Sequence, residues 1–165
     1  MDWEERLAQL WTSMNGYEEA EFLRKIETLV SELPADDPRG LFEKAASLDS
    51  TGHSDLAVPL YQQALDGGLS GERRRRATIQ MASSLRNLDR ADESARLLEE
   101  EKNYTSDHLD DAVNAFLALA LVDLGREREA AAIAIETLSR HLPRYNRSVA
   151  NYAQLLISRT PVHKK

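Results

Sequence analysis

The sequence contains no cysteine. Disulfide frameworks, thiolate zinc sites and thiol nucleophiles are therefore excluded. Glycine and proline are scarce, seven and five in 165 residues, which argues against a loop-rich or low-complexity chain. Aromatic residues make up only 6%. No apolar run approaches the ~18 residues that a membrane-spanning helix requires. The opening, Met1-Asp2-Trp3-Glu4-Glu5, lacks a basic-then-apolar leader, so a cytoplasmic location is expected. What the chain has in abundance is Leu (24) and Ala (21), with few β-branched residues. That bias favours helix over strand. Charged residues at 30% and hydrophobic ones at 42% suit a folded chain, and the length suits a single domain spanning 1–165.

The net charge of −7 is unevenly distributed. Residues 1–37 hold ten acids and three bases, which accounts for the whole excess. After Glu136 there is no acid, but there are six bases: Arg140, Arg144, Arg147, Arg159, Lys164 and Lys165. An acidic head and a basic tail can steer a charged partner or favour self-association.

Helical punctuation recurs along the chain. Trp3, Leu7, Leu10 and Met14 follow a four, three, four rhythm that predicts a helix over 2–14, ended by Asn15-Gly16. Phe22, Leu23, Ile26, Leu29, Val30 and Leu33 predict a second over 17–33, stopped by Pro34. Asp37-Pro38 is a start signal, an acid at the N-cap followed by Pro in the first turn. Further helices are expected over 38–50, 54–66 (with a kink near Pro59), 71–88, 91–102, 108–124, 126–141 and 146–159. Ser70 and Asp107 are the expected caps of two of them. No segment reads as a strand.

The helices come in pairs, and the pairs repeat. The expected turns at Gly52, Asp89 and Gly125 lie 37 and 36 residues apart. Seven residues before each stands Ala45, Ala82 or Ala118; four before, Leu48, Leu85 or Leu121. Five after stands Ala57, Ser94 or Ala130; nine after, Tyr61, Leu98 or Ala134. Small residues let two antiparallel helices approach closely while larger neighbours fill the gaps. Such a pair cannot bury its apolar face alone and must stack on others.

This pattern resembles a tetratricopeptide repeat (TPR) array. The strongest unit is 41–65, with Leu41, Ala45, Leu48, Gly52, Ala57, Tyr61, Ala64 and Leu65 in register; 114–138 keeps Ala118, Leu121, Gly125, Ala130 and Leu138. The unit 78–102 departs at Asp89, where Gly is usual, and at Glu101, where Ala is usual. Segments such as 41-LFEKAASLDSTG-52 and 117-LALALVDLGREREA-130 are similar to a small bacterial TPR subfamily of unassigned biochemistry. The resemblance implies an all-α helical-hairpin solenoid of about nine helices. Three repeats (38–67, 71–103, 107–141) would lie between N-terminal helices (1–34) and a C-terminal capping helix (143–159).

Chemistry-bearing patterns are thin. His53, His108, His141 and His163 are each isolated, with no HExxH. Asp107-His108-Leu109-Asp110-Asp111 reads as a helix-capping cluster rather than a metal site. Gly67-Gly68 and Gly71 lack the spacing and Lys of a phosphate loop. No nucleophile, base or metal set assembles, so no catalysis, cofactor or metal is expected.

A binding surface remains. In TPR arrays the first helix of each pair lines the concave face. One stripe per helix then reads Arg39, Phe42, Ala46, Asp49; Arg76, Ile79, Gln80, Ser83, Arg86, Asn87; and Ala112, Ala115, Leu119, Val122, Asp123. The closing helix adds Arg147 and Asn151. The polar middle stripe suits a protein or peptide partner, acidic or carboxylate-bearing, because Arg clamps carboxylates and amide side chains pair with peptide groups. Some TPR domains clamp the C-terminal carboxylate of chaperone tails with Lys and Asn. Phe42 and Ala46 stand at those places here, so that clamp is not expected. The run Arg73-Arg74-Arg75-Arg76 offers the alternative of an RNA-binding adaptor, weakened by the acidic net charge and the lack of interleaved aromatics. Trp3, Leu7, Leu10, Trp11 and Met14 are too apolar for solvent; they pack back on the array or pair with a second copy in a homodimer.

Overall fold

The computed structural model describes residues 2–158. Arg159, His163, Lys164 and Lys165, named above in the basic tail and among the histidines, lie outside the described residues. Among those described, nine α-helices follow one another without a strand: α1 (Trp3–Thr12), α2 (Glu19–Val30), α3 (Pro38–Ser50), α4 (Ser54–Asp66), α5 (Gly71–Asn87), α6 (Ala91–Tyr104), α7 (Asp110–Asp123), α8 (Glu127–Ser139) and α9 (Asn146–Ser158). A short 3-10 turn, Met14–Gly16, follows α1.

Several helix boundaries have visible local causes. Asp2 and Glu5 form a reciprocal capping box at α1. Asp37 accepts the Arg39 amide at 2.9 Å, and Pro38 occupies the first turn of α3, where its missing N–H costs nothing. Ser70 stands at the N-cap of α5, but its side chain makes no capping bond. The seventh helix starts at Asp110, later than its sequence suggests. Asp107 folds the preceding residues into a turn of their own, accepting from Leu109 N at 2.7 Å while its own N–H bonds Asp110 at 3.1 Å.

Three of the inter-helix turns share one backbone device. Gly52, Asp89 and Gly125 all have positive φ, at 89°, 58° and 71°. Asp89 thus holds a left-handed conformation that Gly adopts without a Cβ penalty. Asp89→Gly is expected to stabilise the chain by up to about 1 kcal/mol, read as a rise in the denaturation midpoint. A fall would mean that the Asp89 side chain contributes more than its backbone costs.

The described residues divide into two compact units between Leu88 and Asp89. In the first, α1 and α2 form an antiparallel hairpin. Leu7, Phe22, Ile26, Leu29 and Val30 are buried in it, with Trp3, Leu10, Trp11, Met14 and Tyr17 packed around them. The apolar stripe of α1 is thus used inside the chain. α3 packs on α2 and α4, and α5 on α4 and α3. Gly40 allows the close approach of α3 to α2: a Cβ there would meet Val30 at 2.8 Å. In the second unit α7 packs between α6 and α8, and α9 on α8.

The repeat register is visible in burial. Ala45, Ala57 and Ala82 are fully buried, and Ser94, Ala118 and Ala130 nearly so. Tyr61 and Leu98 are also sealed, but Ala134, at the equivalent place in α8, is exposed. Burial in α8 falls instead on Ala130, Ala132 and Ser139.

Candidate functional site

The side chains that could meet a partner in the first unit follow from the burial of α5. From Arg75 to Asn87, every residue of this helix is buried except Arg76, Gln80, Ser83, Arg86 and Asn87. Positions 76, 80, 83 and 87 are spaced four, three, four, so they share one helical face. Ile79, assigned to this stripe from spacing, is buried, 5% exposed. It sits at the edge of the stripe and turns into the core with Thr78 and Ala82.

The stripe assigned to α3 is mostly core. Phe42 and Ala46 are buried, and Phe42 packs on Tyr61 with ring centroids 6.1 Å apart. Asp49, half-buried, accepts from Ser84 Oγ at 2.6 Å and from the Tyr61 hydroxyl at 3.4 Å. Burial, with Asp49 alongside, pushes the Tyr61 phenol well above its ordinary pKa. Asn87 reaches Ser54 Oγ at 3.5 Å, so the lower end of the α5 strip is also tied to α4. Arg39 stays exposed. Its guanidinium bonds Asp37 at 2.7 Å, and this hydrogen bond holds the Asp37 carboxyl below the usual carboxylate range.

The four successive arginines of α5 point to different surroundings. Arg75 is buried at 2% exposure and Arg74 is half-buried. Arg76 is exposed and lies 5.4 Å over the Phe42 ring. Arg73, which spacing offers only as part of the arginine run, continues the strip one step earlier, three residues before Arg76. Its Nε donates to Glu43 at 3.1 Å, and its terminal nitrogens donate to both Glu4 oxygens at 3.1 and 2.5 Å. Glu43, 3% exposed, also accepts from Trp11 Nε1 at 2.8 Å. Arg39 and Arg73 each lie 5.9 Å from the Trp3 ring centroid. Three arginines and two aromatic rings from α1, α3 and α5 therefore gather at one end of the strip.

In the second unit, Arg147 and Asn151 are exposed on α9. The α7 stripe is accessible and, apart from the exposed Asp123, apolar, with Leu119 at 45% and Val122 at 49% exposure. Among the described residues, no group of three His, Asp or Glu is placed to hold a metal ion. None of their helices is long and apolar enough to cross a membrane.

Sequential helical hairpins, small residues at the crossings and a left-handed residue at the recurring turns Gly52, Asp89 and Gly125 define a helical-hairpin repeat protein. The tetratricopeptide repeat family model matches residues 38–156, and the chain belongs to that family. TPR domains are protein–protein interaction modules. The solved structure titled "MamA MSR-1 C2" shares the fold with a TM-score of 0.62 at 16% identity, covering 94% of this chain and 78% of that one. No curated protein matches the sequence.

Proposed function

We propose that the first unit binds an acidic segment of a protein partner along the accessible strip of α5. The observation that carries this reading is the selective exposure of that helix. Its accessible positions past Arg75 carry two guanidinium groups, two amides and a hydroxyl, and no acid. Guanidinium groups take carboxylates through paired, charge-assisted hydrogen bonds, and amides pair with peptide groups. Arg39 extends the same cationic surface from α3. The surface suits RNA less well, because the arginine run does not present its four cations together: one is buried and another is engaged by two glutamates.

Arg76→Ala should weaken binding of a fluorescein-labelled peptide of alternating Glu and Ala about tenfold, equivalent to about 1.4 kcal/mol. The helical circular dichroism signal should stay unchanged. Equal affinity in the variant, or equal binding of the peptide with Gln in place of Glu, would refute the reading.

A further inference from the structure

Arg73 is held by two carboxylates of different standing. Glu43 is sealed, with its side chain 4% exposed, and bonds the inner Nε of Arg73 while accepting from Trp11. Glu4 is open, with its side chain 49% exposed, and takes both terminal nitrogens in a bidentate pair. The inner bond fixes the guanidinium in place. The outer pair is the arrangement an incoming carboxylate would make.

α1 is also held by contacts that do not involve Glu4. Leu7 is buried in the hairpin core. Trp3 Nε1 donates to Leu29 O at 2.9 Å, Arg6 pairs with Glu32, and Trp11 is bonded to Glu43. A rotation of the Glu4 side chain alone would free the outer edge of Arg73, leaving α1 in place. Arg39, over the same Trp3 ring, would flank the opened position.

We infer that Arg73 is a carboxylate-binding position at the head of the α5 strip, and that Glu4 occupies it in the free chain as an internal stand-in for an acidic side chain of the partner. The inference rests on the reading of the strip as a surface for acidic segments. It adds a position on the same helical face, three residues before Arg76, and an intramolecular competitor that sets the affinity. An acidic segment gains the Arg73 fork only by displacing Glu4, so removing the Glu4 charge strengthens binding.

The test is a double-mutant cycle with the labelled Glu-Ala peptide, read by fluorescence anisotropy on the full chain. Glu4→Gln is expected to bind the peptide several-fold more tightly than the unmodified chain, with little change in melting. Arg73→Ala is expected to bind more weakly, and adding Glu4→Gln to Arg73→Ala should give no gain. If the unmodified chain binds the peptide but Glu4→Gln leaves its affinity unchanged or lower, the stand-in is refuted and the strip reading survives. A gain that persists in the Arg73→Ala background is a general effect of lost negative charge and also refutes it. If neither the unmodified chain nor Glu4→Gln binds the peptide, the strip reading itself fails.

Discussion

Phe42→Ala should lower the stability of the chain by about 3–5 kcal/mol, measured as a shift in the denaturant midpoint at constant slope. Phe42 is completely buried and packs on Tyr61, with the Arg76 guanidinium over its ring. Truncation removes the transfer free energy of the ring and leaves a void. The void cannot close easily, because the next buried residues along α3 are Glu43, Ala45 and Ala46. One is pinned by hydrogen bonds and the other two have no length to spare. The substitution also withdraws the ring that supports Arg76. A loss below about 1 kcal/mol would mean that α3 and α4 are not held together at this crossing.

The second large effect is expected at Glu43. Its two oxygens accept from donors on different helices, Trp11 Nε1 at 2.8 Å and Arg73 Nε at 3.1 Å. Glu43→Gln conserves shape but supplies one acceptor and one donor. Whichever way the amide turns, its NH2 faces an N–H group, and one buried donor loses its partner. The expected cost is about 1–3 kcal/mol in thermal or denaturant unfolding. Trp11 fluorescence should change in the folded state as its indole N–H loses its anionic acceptor. An unchanged midpoint with unchanged emission would show that this carboxylate does not tie α1 to α5.

The hairpins were legible because their determinants are local. Apolar spacing, Asp37-Pro38 and the recurring Ala, Leu and Gly positions each act within a few residues, and the structure keeps them in register. The α5 strip was legible for the same reason: one helical face is a matter of spacing. Ile79 shares the spacing of the stripe but borders it and is buried, because spacing alone does not fix which edge the neighbouring helix covers. The α3 stripe was assigned to a lining surface by resemblance, but the large Phe42 ring draws it into the core. Arg73 was hidden in a run of four identical residues whose fates differ only through tertiary contacts. Its partner Glu4 lies 69 positions away, and the buried Glu43 reads in sequence as ordinary solvated charge. Long-range pairings of this kind have no local periodicity from which to infer them.

If α5 carries the partner-binding surface, amide chemical-shift mapping places the bound peptide on it. On titration of the 15N-labelled chain with the Glu-Ala peptide, the largest shifts are expected at residues 73, 76, 80, 83, 86 and 87, with smaller ones at 4 and 39. Shifts concentrated on helices outside the first unit, or none at a peptide concentration that saturates the anisotropy signal, would contradict it.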